Sequence, residues 1–244
     1  MLNNAFSYIF KDNRIINKSV LCFIFMFIGL FCKFAIKFNA HSTENLNKII
    51  ILAIISLIIK TIIDGYKICN ISVILNKNDN YVLPYINLKQ NFKVGLKFVL
   101  AKLIFSMFCY FFICGFSLLI GLSIIFNSRL ITSIFLILAI VTCITYSLYL
   151  LIFNIGFTNL YVKNPNYFIF FKIKELILEI KKSPKIYFKS LLLYVFFTLT
   201  SVALLCTISK LDKIIILTIL PLYSVFIVYT FFVENHLTAK CLNT

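Results

Sequence analysis

The sequence has no tryptophan, two histidines, six glycines and four prolines in 244 residues. Only 13% of it is charged, and just eight residues are acidic. So little glycine and proline excludes collagen-like and low-complexity chains. A soluble domain carries about a quarter charged residues, so 13% is too few for an ordinary globular protein. The histidines, His41 in a loop and His236 near the end, make no two-histidine metal motif. No phosphate-cradling G-x-x-x-x-G-K-[ST] or dinucleotide-binding G-x-G-x-x-G pattern occurs. Eight cysteines are present (Cys22, Cys32, Cys69, Cys109, Cys114, Cys143, Cys206 and Cys241), but no C-x-x-C. Most fall in apolar runs, where cysteine behaves as a small apolar residue, which argues against a disulfide framework. These patterns require no cofactor and offer no catalytic constellation, so the expectation is a protein that is not an enzyme. A Cys–His nucleophile pair is left open, without a local signature to support it.

What the chain does have is apolar bulk: 61% hydrophobic residues, 28 of them Phe, with a mean hydropathy of +1.00. About 20 apolar residues in a helix cross the hydrocarbon of a bilayer. Six runs meet that length, at 19–38, 46–64, 103–126, 130–153, 186–209 and 214–233. None alternates apolar and polar residues as the strands of a membrane barrel do. The predicted fold is therefore an all-α integral membrane protein in one polytopic domain. Its helices form hairpins, because Asn127–Arg129 and Lys210–Lys213 are very short links. A signal peptide is the alternative for the first run, but Lys33 and Lys37 stand where a cleavage site would need small residues.

The formal charge of +16 comes from 24 Lys and Arg. With those inside a run assigned to its nearer end, eighteen belong to the side of the N-terminus, of the connections after the second and fourth runs and of the tail, and six to the other side. The positive-inside rule then puts both termini in the cytoplasm of a cell-membrane protein. Charge spread along membrane boundaries in this way is not a nucleic-acid footprint.

Two basic segments have helical periodicity. Residues 167–182 place Ile169, Ile173, Leu176, Ile177 and Ile180 on one face, and Ser183-Pro184 ends the helix. In the other, Lys89, Lys93 and Lys97 recur every fourth residue beside Leu88, Phe92 and Leu96. Both segments are predicted to lie along the inner leaflet as interfacial helices, with Lys89, Lys93, Lys97, Lys181, Lys182 and Lys185 against anionic headgroups. An equally weighted reading gives these lysines only a role in topology. The chain also divides into three thirds of similar plan, each an amphipathic stretch and a hairpin, with poor residue identity between them.

Within the runs, Lys33 is expected to snorkel to one interface, and Lys60 to the other while pairing with Asp64. Glu234 falls at the end of the sixth run. Pro221 breaks the hydrogen bond to Leu217 and is expected to kink its helix, with Tyr223 and Ser224 offering a small polar pocket. Small residues four apart (Ser117 and Gly121; Ala139, Cys143 and Ser147) predict close packing of spans three and four. Without tryptophan, interfacial anchoring falls to Tyr8, Tyr66, Tyr81, Tyr85, Tyr161, Tyr167, Tyr187 and Tyr229.

One set of motifs looks familiar: Gly65-Tyr66, then Asn76-Lys77-Asn78-Asp79, Leu83-Pro84, and Phe92-Lys93-Val94-Gly95-Leu96-Lys97. It resembles an uncharacterised family of prokaryotic multi-pass membrane proteins, in which a Gly-Tyr leaves one helix and a Leu-Pro precedes a Phe-x-x-Gly-x-Lys entering the next. The starting Phe6-Ser7-Tyr8-Ile9-Phe10-Lys11-Asp12 and the ending His236-Leu237-Thr238-Ala239-Lys240 are similar too. The family's usual acidic residue after Leu-Pro is replaced here by Tyr85-Ile86-Asn87. The resemblance implies a membrane fold and no catalytic residues. Physically, Gly65 permits close approach, Tyr66 suits the headgroup region, Pro84 restarts the chain and Gly95 offers a flexion point.

These readings point to a non-enzymatic membrane protein acting through lipid or protein contacts, its partners being the bilayer with its anionic inner-leaflet lipids and a membrane protein or a second copy. The alternative is a small-solute transporter or permease.

Overall fold

The computed structural model describes residues 15–39, 45–76, 84, 86–126 and 128–242. It is 91% helical, with no strand among the described residues. The long helices are α1 (Ile15–Asn39), α2 (Leu46–Asn76), α3 (Leu88–Ile125), α4 (Arg129–Lys163), α6 (Pro184–Ile208) and α7 (Lys213–Lys240). A 3-10 turn (Ile169–Phe171) and the short α5 (Ile173–Lys182) join α4 to α6. All six long helices are apolar enough to cross a membrane, so the protein is an all-α multi-pass membrane protein.

Antiparallel pairs α1–α2, α3–α4 and α6–α7 alternate short links with longer basic connections. The short-link end is held by side chains: Lys37 donates to the Ser209 carbonyl, and Ser123 and Thr132 share a 2.8 Å hydrogen bond beside the α3–α4 link. At the opposite, basic end, α2, α3 and α4 run well past the apolar windows. At 1.5 Å per residue they are about 46, 57 and 52 Å long, against a hydrocarbon thickness of about 30 Å.

The extra length is where the protein packs. One apolar cluster joins α1, α2, α6 and α7 through Cys22, Tyr66, Ile71, Phe232 and Leu237. A second joins α2 to α3, α4, α5 and α6 through Phe98, Ile155, Phe157, Phe170, Leu176 and Tyr187. The last described residues join these cores, Ala239 the first cluster and Cys241 and Leu242 the second. By contrast, none of the apolar window of α4 is buried, and Phe111, Leu118, Ile125 and Leu130 are strongly exposed. Those surfaces suit lipid tails, which replace protein as their packing partner.

Several expectations change here. Residues 88–102 are not a separate surface helix. Asn87 caps the helix by accepting from the Gln90 amide, and α3 then runs unbroken to Ile125. Gly95 is therefore an interior helical residue and not a flexion point. The segment 167–182 starts later than its periodicity suggests. The Asn166 side chain accepts from the Phe168 amide at 2.9 Å, and this turn delays α5 until Ile173. Its apolar face is divided, with Leu176 buried against Gly156 of α4 while Ile177 and Leu178 stay exposed. The tyrosine belt is mostly core: Tyr66, Tyr161 and Tyr187 are buried, because the helices continue beyond them and cover them. Tyr8, Tyr81 and Tyr85 lie outside the described residues. A Cβ on Gly121 would meet nothing within 4 Å, so the small-residue stripe there makes no tight interface.

Candidate functional site

The family-like motif forms one helix crossing. A methyl on Gly65 would run into the Asn91 carbonyl and come within 2.8 Å of the Gly95 nitrogen. Reciprocally, a methyl on Gly95 would strike the Thr61 carbonyl and lie 2.8 Å from the Gly65 nitrogen. The backbones of α2 and α3 thus touch where only two glycines fit. Tyr66 is not at a headgroup. It is 1% exposed, packs against Phe231 and Phe232, and donates to the Pro84 carbonyl at 3.1 Å. Gly65, Tyr66, Pro84 and Gly95 therefore act together on one crossing, while Leu83 lies outside the described residues.

Lys89, Lys93 and Lys97 are exposed along the start of α3, next to the exposed Leu88, Phe92 and Leu96. Lys181, Lys182 and Lys185 are exposed around the end of α5 and the start of α6. Lys182 is paired with Glu179, and Lys172 with Glu175 at 2.6 Å, so part of the charge expected on α5 is neutralised locally. Pro221 is exposed inside α7. Its polar neighbours are satisfied within the protein: Tyr223 donates to the Ser201 carbonyl at 2.8 Å and Ser224 to the Leu220 carbonyl at 2.8 Å.

The polar features with chemical potential lie elsewhere. A cavity of about 420 Å³ opens between α3, α4 and α6. Lys102, Ser106, Ser147, Asn154, Tyr194 and Thr198 supply its polar wall, and Phe105, Leu150, Leu151 and Phe170 its apolar one. Asn154 donates to the Tyr194 hydroxyl oxygen at 2.8 Å, and Thr198 reaches Glu234 of α7 at 3.4 Å. Lys67 of α2 stands over the Tyr194 ring, 5.9 Å from its centre, and Lys102 over the Phe98 ring at 4.4 Å. Asp64 attracts both lysines electrostatically and Glu234 attracts Lys67, while Lys60 repels Lys102. Neither Lys67 nor Lys102 is ion-paired with a described carboxylate. Three cations against two carboxylates leave this cluster with an excess positive charge.

Two further cavities lie between helices. One of about 190 Å³ between α1 and α2 is lined by both Lys33 and Lys60, with Ser56. These two lysines, expected to snorkel to opposite interfaces, thus line one and the same cavity between antiparallel helices. Another, of about 450 Å³, is lined by Ser72, Pro84, Gln90, Asn91, Lys97 and Tyr161. The interior of the basic end is also rich in amides. Asn70, Asn159 and Asn235 are fully buried, and Asn159 donates to the Thr238 and Ala239 carbonyls at 2.7 and 3.0 Å. Beside them, burial pushes the Cys241 thiol up to about 12, and it donates to the Thr238 carbonyl at 3.1 Å. A thiol so protonated is a packing group and a poor nucleophile.

Sequence reading missed Lys67, Lys102, Asn154 and Tyr194 as a group, because the first three sit just beyond the ends of apolar runs, where polar residues ordinarily face water, and Tyr194 lies inside one, where a tyrosine reads as apolar. The available signal was that Lys67, Lys102 and Asn154 all adjoin the basic-side end of their runs. No family model matches the chain, and neither a curated protein nor a solved structure proves similar to it.

Proposed function

We propose that this is a non-enzymatic protein of the cell membrane, with both termini in the cytoplasm, that works through contacts with anionic lipids of the inner leaflet. The observation that carries this reading is the amphipathic start of α3. Lys89, Lys93 and Lys97 are exposed next to the exposed apolar side chains Leu88, Phe92 and Leu96. That surface needs lipid tails on one side and anionic headgroups on the other. Lys181, Lys182 and Lys185 extend the basic surface, with Lys182 also held by Glu179. Kinship with the uncharacterised prokaryotic family is proposed on the same footing, from the joint placement of Gly65, Tyr66, Pro84 and Gly95.

The test uses purified protein in nanodiscs of phosphatidylcholine with increasing phosphatidylglycerol, read as enrichment of the anionic lipid around the protein. Wild type is expected to enrich it, and a K89Q/K93Q/K97Q variant to lose most of that enrichment, each lysine near the surface contributing about 1 kcal/mol. Equal affinity for the two lipids refutes the lipid reading. A second reading, a carrier for a small solute, is favoured by the Lys33–Lys60 cavity beside the Lys102 cluster. Solute entry into proteoliposomes distinguishes it, since lipid contact alone supports none.

A further inference from the structure

We infer that the cavity between α3, α4 and α6 is a binding site for one phosphate group, with Lys102 and Tyr194 as its donors. The surface lysines contact many lipids loosely, whereas this is a built site for a single headgroup. Only the leaflet that supplies the headgroup rests on the proposed orientation of the chain; the site and its donors do not.

The chemistry depends on which groups have protons to offer. Lys102 lines the cavity, and its ammonium is held over the Phe98 ring without an ion-paired carboxylate among the described residues. A desolvated cation in this position attracts an anion. Tyr194 accepts at its oxygen from Asn154, so its own hydroxyl proton is left to donate into the cavity. The serines do not compete for this role: Ser147 donates to the Cys143 carbonyl, and Ser106 is shared between the Lys102 carbonyl and the Tyr146 hydroxyl. Lys67 behind Tyr194 adds positive potential, which Asp64 and Glu234 offset in part.

Depth and shape favour an amphiphile. Lys102 lies about 35 Å from the short-link end of α3 and Tyr194 about 21 Å from that of α6, at 1.5 Å per residue. The cavity therefore straddles the edge of the hydrocarbon at the basic end, with Lys102 on the side of the lipid phosphates and Tyr194 on the side of the tails. Its wall of Phe105, Leu150, Leu151 and Phe170 gives those tails an apolar surface. The same donors would hold a free phosphate ion, and the experiment separates the two sources.

The full-length protein in neutral detergent is titrated with phosphatidylglycerol, phosphatidylcholine or inorganic phosphate, and bound ligand is counted by native mass spectrometry. Saturable binding of one phosphatidylglycerol is expected. K102Q should weaken it about 10- to 100-fold, the loss of one charge-assisted hydrogen bond. Y194F, which keeps the ring and its packing, should weaken it about 5-fold. The K89Q/K93Q/K97Q variant, which tests the surface reading, should leave this single site intact. Saturable binding of inorganic phosphate with the same dependence on Lys102 assigns the site to a free ion. Unchanged binding in both K102Q and Y194F, or no saturable site in wild type, overturns the inference, whether or not the surface lysines select anionic lipid.

Discussion

Gly65→Ala and Gly95→Ala are each expected to destabilise the protein by about 3 kcal/mol, read as a loss of thermal stability in detergent. The added methyl in either case meets backbone of the opposite helix, which cannot rotate away as a side chain can. The two helices must separate, and Tyr66 then loses its seat against Phe231 and Phe232 and its bond to the Pro84 carbonyl. Gly121→Ala is the control. Nothing lies within 4 Å of its Cβ position, so it should be neutral or stabilising by up to about 1 kcal/mol through helix propensity. Equal effects at Gly65 and Gly121 would contradict the crossing.

The contrast between these glycines explains what sequence can and cannot convey. Six spans were legible because hydrocarbon imposes a length on any apolar helix, and that constraint needs no knowledge of neighbours. Contact between Gly65 and Gly95 depends on how two helices cross, which spacing along either one does not encode. Small residues at Ser117 and Gly121 permit close packing without requiring it, and here Gly121 faces open space. Helix ends were equally hidden. The polar turns of α2 beyond Asp64 and of α3 before Leu103 are stabilised by tertiary packing, through Ile71, Ile74 and Phe98, more than by hydropathy. The same packing turned Tyr66, Tyr161 and Tyr187 from interfacial anchors into core. It also gathered Lys67, Lys102, Asn154 and Tyr194, four residues from four helices whose positions taken singly suggest only boundary charges and polar caps.

Asn159→Ala should cost about 2–4 kcal/mol, because it removes two buried hydrogen bonds, strands the Ala239 carbonyl and leaves that of Thr238 only the weak thiol donor of Cys241. Those carbonyls, of Thr238 and Ala239, end α7, so Asn159 works as a cap supplied by another helix. The residues beyond are core: Cys241 is fully buried and Leu242 is 4% exposed. Loss of the cap should therefore be felt across the second apolar cluster, where Phe157 and Tyr187 are packed. Chemical denaturation in detergent micelles measures it. A variant as stable as wild type would show that the end of α7 is held by packing alone.

Both effects fall at the basic end, where the helices outrun the bilayer, the core is concentrated and the exposed lysines gather. An inner-leaflet function requires that end to face the cytoplasm. Its most direct test is Lys181→Cys, at an exposed position on α5, treated in intact cells with a membrane-impermeant maleimide. The expected result is no labelling above the wild-type chain until the membrane is permeabilised, and labelling afterwards. Labelling of Lys181→Cys in sealed cells would put the basic end outside and contradict the inner-leaflet function.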